Sequence, residues 1–467
     1  MKTIKFWLTT IVVLLCSITV NADTKFTVDG IEYTVSSTDG TCSVSGYDES
    51  FGTEVVIPSS VDYKNRTFSV TSIGYCAFND CSSLASITIP EGVTGIEEKA
   101  FYKCRSLTSF TIPTSVMSIG DDAFYWCSSL KEVFFEDGSK TLTLGDVKGK
   151  GLFSDCPLEK VYLGRNLNYN DSYYSPFSDK TQLTSVTIGG NVTSIGKHAF
   201  AYCSSLTSIT IPANVTSIGD YAFNDCSSLA SITIPEGVTG IWNYAFSDCS
   251  SLTSITIPAS VTSIGHVAFE RCTSLKEVTI EDGSEELACG RMLFNGCLLE
   301  EVYLGRDLRY ETDDPRFVPF GHNSNLTSLT IGESVTSIGD YAFYQCSSLA
   351  SITIPASVTS IGQYTFYGCS SLASISCLAK TPPTIDKKTF DSDSYNFADL
   401  FVPQGTKDAY QAATGWKNFY SISDTLPSGI CDIAVGQSSK IYNLNGRELQ
   451  TPQQGINIIN GKKVLVR

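Results

Sequence analysis

From residue 70 onward the apolar positions return at one fixed spacing. A 23-residue unit begins at Val70, Val93, Val116, Val192, Val215, Val238, Val261, Val335 and Val358. The copy at 215–237 reads VTSIGDYAFNDCSSLASITIPEG, with Val215, Ile218, Ala222, Phe223, Cys226, Leu229, Ile232 and Ile234 as its apolar set. So short a piece cannot bury that many groups alone. Stacked on like neighbours, the same positions merge into one core whose stability is nearest-neighbour in character. Leu229-x-x-Ile232-x-Ile234 alternates like a half-buried strand, is rich in β-branched residues and stops at Pro235. Gly219 marks a turn, and Ala222-Phe223 is predicted in a short helical or 3-10 turn on the opposite side. Each coil then lends one strand to a parallel sheet, spaced about 4.8 Å from the next.

The period lapses twice, over 139–191 and 284–334, yet strand cores survive inside both lapses. They are Leu158 to Leu163 and Leu183 to Ile188 in the first, and Leu299 to Leu304 and Leu326 to Ile331 in the second. Each lapse is predicted to hold two irregular coils with longer excursions, giving about 13 strands in an unbroken row from Leu84 to Ser376. Open solenoid ends need caps. Residues 26–69 alternate and suit a hairpin over the first coil. At the other end 400–403 reads as a last strand. Residues 406–419 read as a short helix with Thr406 as N-cap and Trp416 and Phe419 as plugs. A linker over 421–436 and a small alternating β segment over 441–467 follow. The predicted plan is a signal peptide (1–22), an N-terminal β cap (23–69), a solenoid (70–385), a small α/β cap (386–424), and a linker with a short β tail (425–467).

The first segment earns its name from Lys2 and Lys5, an apolar run over 6–20, and compact residues at Val20-Asn21-Ala22. It is too short and wrongly flanked for a membrane anchor, and bulky Leu15 before Cys16 argues against lipidation. No second apolar span follows, so the expected mature chain is exported and has no transmembrane span. A net charge of −16 leaves no basic stripe to neutralise phosphates, which excludes a nucleic-acid partner and disfavours an anionic membrane surface.

Seventeen cysteines in an exported chain would ordinarily suggest disulfides. Cys81, Cys104 and Cys127, then Cys203, Cys226, Cys249 and Cys272, then Cys346 and Cys369, instead recur at the repeat spacing. That phase marks a packing position for a small buried thiol with a weak S–H donor. Pairing fits best the off-phase Cys42, Cys76, Cys289, Cys377 and Cys431.

Candidate chemistry is thin. The three histidines are scattered: His198 and His266 sit at variable positions after Ile-Gly or Ile-Gly-Lys, and His322 lies in an excursion near Asp313 and Asp314. No H-E-x-x-H, G-x-S-x-G or Walker sequence occurs. Gly145-Asp-Val-Lys-Gly-Lys-Gly151 lacks the spacing of a phosphate loop. Asp391-Ser-Asp393-Ser-Tyr-Asn396 has calcium-like spacing, but lacks the glycine at the sixth position and has Val402 where a glutamate is needed. The expectation is a chain that is not an enzyme and holds no cofactor or metal.

Alternation across a strand turns the residue between the last two apolar positions outward. Coil by coil these residues are Thr88, Thr111, Phe134, Tyr162, Thr187, Thr210, Thr233, Thr256, Thr279, Tyr303, Thr330, Thr353 and Ser376. Phe134, Tyr162 and Tyr303 depart from the hydroxyl row, each at or within an irregular stretch. Arg165 and Arg306 follow closely, and the excursions add Tyr169, Tyr173, Tyr174, Tyr310 and Phe317. Exposed aromatics flanked by arginine are the usual anchors of interfaces; alternatively these rings fold back over widened coils. The candidate binding face is Phe134, Tyr162, Tyr303, Arg165, Arg306, Tyr173, Tyr174 and Tyr310. Its expected partner is an extracellular protein, with a glycan as the alternative because aromatic platforms beside carboxylates also suit sugar rings.

Leu-x-x-Ile-x-Ile is the leucine-rich-repeat strand signature. With the full unit Val-Thr-Ser-Ile-Gly-x-x-Ala-Phe-x-x-Cys-x-x-Leu-x-x-Ile-x-Ile-Pro, residues 26–420 resemble the BspA-like leucine-rich repeats of bacterial surface proteins. Thr406-Lys-Asp-Ala-Tyr410 followed by Gly415-Trp416 is similar to the capping element common in that family. The resemblance implies a leucine-rich-repeat solenoid at the cell surface, or secreted, that adheres to host or partner-cell proteins. The tail, with Gly446-Arg447 and Asn460-Gly461-Lys462-Lys463, resembles the C-terminal sorting domain of type IX secretion in Bacteroidetes. That likeness implies association with the outer membrane.

Overall fold

The computed structural model describes residues 24–35, 39–145, 152–169, 175–311 and 314–425, and the backbone of four short strands between 441 and 466. The expected signal peptide, Tyr173, Tyr174, Cys431 and the phosphate-loop-like stretch lie outside the described side chains.

In the unit at 215–237 two stretches are extended, not one. Ser231–Thr233 and Ser217–Ile218 each pair in parallel with their counterparts one repeat away, Ile232 opposite Ile209 and Ile218 opposite Ile241. The second strand has only two residues, too few for alternation to be legible. Stacking copies this pattern into two parallel sheets flanking one core. In the longer-stranded sheet the expected row is present in order, but it divides into runs of two, six, four and four hydrogen-bonded strands, so it is not one unbroken ladder. Both irregular stretches stay in register: Phe134, Tyr162 and Thr187 are Cα partners in sequence, as are Thr279, Tyr303 and Thr330.

The turn carrying Ala222-Phe223 is not helical, contrary to the expectation. Ala222, Asn224 and Cys226 donate N–H bonds within the coil, to the carbonyls of Gly219, Tyr221 and Phe223. The alternate residues Tyr221, Phe223 and Asp225 donate at 2.8–2.9 Å to the next coil, to Asn243, Ala245 and Ser247. A helix keeps all its bonds inside the segment; here half are spent on the neighbour. Tyr221 and Asp225 accordingly sit at φ +56° and +57°, a left-handed geometry costing about 1–2 kcal/mol per residue. Inter-coil bonding offsets that cost, as does the stacking of Tyr221 on Tyr244 at 4.6 Å.

The core is a column of phenylalanine rings from Phe78 to Phe390, each stacked on the next with centroids 5.2–5.8 Å apart. Hydrogen-bonded strands lie only about 4.8 Å apart. Neighbouring rings are therefore offset as they stack, keeping step with the strands on either side. Beside the rings runs a row of thiols. Cys104, Cys127, Cys226 and Cys272 each donate Sγ–H to the phenylalanine carbonyl of the preceding coil at 3.1 Å. Every described cysteine is a free thiol, including the off-phase Cys42, Cys76, Cys289 and Cys377.

At the N-terminal end Lys25–Val28 and Ile31–Val35 form the expected hairpin, and Thr41–Tyr47 joins it to Arg66–Ile73 over the first coil. At the C-terminal end the predicted helix is shorter than expected. Lys407–Ala412 is helical, and Trp416–Asn418 forms a separate 3-10 turn. Thr406 stands at the N-cap, but its hydroxyl bonds back to Pro403 and caps nothing. Trp416 and Phe419 are buried as plugs, the indole donating to Pro383 O at 2.7 Å. Asp391 of the calcium-like stretch caps the helix Ser392–Phe397. The linker begins later than expected, because Ser421–Ser423 adds a final parallel strand. The tail strands Ile441–Tyr442, Glu448–Leu449, Gly455–Ile459 and Lys462–Val466 make their own antiparallel sheet.

Candidate recognition face

The hydroxyl row of the longer-stranded sheet is interrupted where Phe134 and Tyr162 meet. Their rings stack at 4.3 Å and 13°, and Phe134 is 43% exposed. Parallel pairing at strand spacing forces the two side chains face to face. Tyr162 is half-buried and its hydroxyl reaches both oxygens of Asp137 at 2.9 Å; that hydrogen bond raises its pKa. Tyr303 repeats the arrangement with Asp282 at 2.9 and 3.0 Å, and burial followed by the Asp282 hydrogen bond pushes its pKa up further.

Each pair also dictates a glycine in the following coil. A Cβ on Gly189 would stand 2.6 Å from Asp137 Oδ1 and 3.0 Å from the Tyr162 hydroxyl, and one on Gly332 would meet Asp282 and Tyr303 similarly. That is why Thr-Ile-Gly replaces the usual Thr-Ile-Pro there. Cross-strand ion pairs line the flank: Lys131–Glu159 at 2.8 Å, Lys160–Glu132 at 2.7 Å and Lys276–Glu300 at 2.8 Å. All are exposed and contribute register more than stability.

Three of the candidate residues are not where the sequence placed them. Arg165 and Arg306 have no exposed surface. The Arg165 guanidinium donates to the carbonyls of Pro113 (2.7 Å), Val116 (2.8 Å) and Thr114 (3.1 Å); Arg306 donates to Pro258 (2.8 Å) and Ala259 (2.9 Å). They bridge back across two coils because the Glu-Asp-Gly loops cover them, and no ligand on the sheet can reach them. Tyr310 is half-buried against the core, with its hydroxyl on Asp340 O at 3.0 Å; Tyr169 does the same with Lys197 O at 2.9 Å. Those rings fold back over widened coils. Phe134 and Tyr162 stay side by side on outward strand positions, and Tyr303 keeps the same outward position in a separate run of strands.

Sequence reasoning passed over the turn edge, reading its variable positions as solvated loop. His198, Tyr221 and Tyr244 stack there in series, and Tyr341, Tyr344, Tyr364 and Tyr367 form a four-ring cluster with contacts of 4.9–6.0 Å. The signal was available: tyrosine recurs at one phase in successive copies. His266 Nδ1 accepts the Arg291 N–H at 2.9 Å, and His322 meets Tyr344 edge-on. Among the described residues no group of three His, Cys, Asp or Glu is placed to hold a metal ion, and no helix is long and apolar enough to cross a membrane.

The family model for the BspA type leucine rich repeat region matches in six copies, over residues 58–175, 173–300 and 319–422, which is well over half of the chain. The chain belongs to the BspA-type leucine-rich-repeat family. A leucine-rich repeat protein from Bacteroides ovatus is 28% identical, with 85% of this chain and 99% of that chain covered and a TM-score of 0.53. A leucine rich cell surface protein from Faecalibacterium prausnitzii is 22% identical, covering 85% and 98%, with a TM-score of 0.30. The pneumococcal vaccine antigen PcpA is 17% identical over 86% and 98%, with a TM-score of 0.33. No curated protein matches the chain. BspA-type membership accounts for the repeat unit and its coil.

Proposed function

We propose that this protein is an exported, surface-displayed binding module, without enzymatic activity, that recognises an extracellular protein through its longer-stranded sheet. The observation carrying this reading is the Phe134–Tyr162 stack, with Phe134 exposed, in a row whose other members apart from Tyr303 are threonine or serine. Rigid aromatic area bordered by ion pairs is the composition of an interface anchor. Tyr303 is a second anchor six strands further along, about 29 Å away at ordinary strand spacing. The signal-like first 22 residues and the sorting-like tail support export, and mass spectrometry of surface-shaved and secreted fractions tests it by reading whether the mature chain starts at residue 23.

The test of recognition is a pull-down of extracellular proteins by the mature chain, followed by affinity measurement on Phe134→Ala, Tyr162→Ala and Tyr303→Ala combined. Hot-spot anchors lose about 2 kcal/mol or more on truncation, roughly thirty-fold in Kd. Tyr162→Phe keeps the ring and should bind nearly as wild type. Unchanged affinity in the triple variant refutes the assignment of this face, and selective retention of a glycan in place of a protein shifts the partner class.

A further inference from the structure

The first irregular stretch breaks two rules of the repeat at one place. Regular coils space the ladder cysteine and the next strand's leucine by two serines, as in Cys203-Ser-Ser-Leu206, with Leu206 N–H on Cys203 O at 3.0 Å. The coil at 152–158 has only Pro157 between Cys156 and Leu158, and closes a tighter turn with Leu158 N–H on Cys156 O at 2.9 Å. Against this turn lies a cavity of about 260 Å³, walled by Ser128, Asp155, Pro157, Asp179, Thr181 and Gln182.

In the next coil the ladder cysteine itself is replaced. Phe177-Ser-Asp-Lys180 aligns with Phe200-Ala-Tyr-Cys203, and Lys180 Nζ donates to Phe153 O at 2.6 Å where the thiol row would make the same bond. A thiol has one proton to give; the ammonium has three. Lys180 itself lines the cavity; among the described residues its ammonium makes this one hydrogen bond and no ion pair, and the Asp155 and Asp179 carboxylates act on it from longer range. Burial lowers the Lys180 pKa, as expected for an ammonium short of partners. The equivalent place in the second irregular stretch is inert. Asn323 stands for the lysine and bonds Phe320 O at 3.0 Å, and Leu298 stands for Pro157, half exposed.

We propose that this cavity is a binding site for a single acidic sugar unit, its carboxylate on Lys180 and its hydroxyls on the rim. An incompletely bonded ammonium asks for an anionic oxygen. The rim carboxylates of Asp155 and Asp179 would repel a bare anion, but with Thr181, Ser128 and Gln182 they accept and donate to sugar hydroxyls. The volume falls below the roughly 300–1,000 Å³ of pockets that hold drug-sized ligands, which suits one ring. The site is separate from the outward strand positions of the longer-stranded sheet, so its failure leaves the protein-binding reading untouched, and the reverse holds too.

The experiment is titration of the full chain with glucuronate, glucose and acetate, followed by ligand-observed NMR. Glucuronate should bind at least about ten-fold tighter than either control, because neither control engages both the ammonium and the rim. Lys180→Cys restores the residue that other coils carry, so it should fold normally and lose that preference. In the wild type, saturating glucuronate should also slow acylation of Lys180 by an active ester, read by peptide mass spectrometry, while other lysines react as before. Equal affinity for the three probes, undiminished binding by Lys180→Cys, or no protection of Lys180 overturns the proposal. The protection readout decides it even if the variant fails to fold.

Discussion

Replacing Arg165 with alanine tests whether the irregular stretches are held together from inside. Its guanidinium makes three bonds of 2.7–3.1 Å to carbonyls in 113–116, about 50 residues earlier in the chain. Hydrogen bonds to charged groups contribute about 1.5–3 kcal/mol each, but burying the guanidinium costs several kcal/mol in return. Its Nε has no partner, which deepens that cost. Truncation leaves the carbonyl of Val116 without its donor, leaves Pro113 O only the Val116 N–H at 3.2 Å, and opens the space under Gly138, whose added Cβ would lie only 3.4 Å from Arg165 Cδ. The expected loss is therefore about 2–4 kcal/mol, made of about 1–3 kcal/mol for the orphaned Val116 carbonyl and the packing lost over the emptied space. Arg165→Lys should recover less than half, since one ammonium cannot match a planar fork on three acceptors. Urea unfolding measures the total, and amide exchange localises it: protection should fall first over 109–119 and 160–168 and persist beyond the next two coils. A loss under about 1 kcal/mol, or exchange that rises evenly along the chain, would refute the account.

Other outcomes follow from the same contacts. Gly189→Ala should cost about 1–3 kcal/mol by forcing Asp137 from Tyr162; combining it with Tyr162→Phe should give less than the sum in a double-mutant cycle. Burial raises the ladder thiols, Cys203 and Cys346 to about 12 from an ordinary 9. Between those values the unfolded chain releases protons that the folded chain keeps, so stability is complete below pH 9 and falls as pH rises toward 12. The decline should be of order 1 kcal/mol per thiol for the first unit above pH 9, and Cys203→Ala should flatten the slope in urea melts taken at pH 8 and 10. Among the described cysteines, half-buried Cys76 should react first with a thiol reagent under native conditions; Cys289, which burial pushes up to about 12, and the ladder should react only after unfolding. Trp416→Ala removes the plug and its bond to Pro383, and should cost about 3–5 kcal/mol with exchange spreading inward from the C-terminal end.

The repeat, its strand, its core positions and both caps were legible in the sequence because one coil's apolar spacing is copied with little change. A period of identical positions can bury its side chains only by stacking. The thiol row was legible for the same reason, since Cys226 and its counterparts share one phase. What the chain's linear order could not reveal is what crosses between coils. Whether Arg165 points to solvent or to the carbonyls of Pro113 and Val116 depends on a loop folding over it from the coil between. Whether Tyr162 stays outward while Tyr310 turns in depends on which acceptor, Asp137 or Asp340 O, each hydroxyl finds. The second short strand and the left-handed turns are likewise fixed by hydrogen bonds to the next coil. Local pattern determines which side chains are apolar; contacts made across coils, at separations of 20 to 50 residues, decide where the polar and aromatic ones finish.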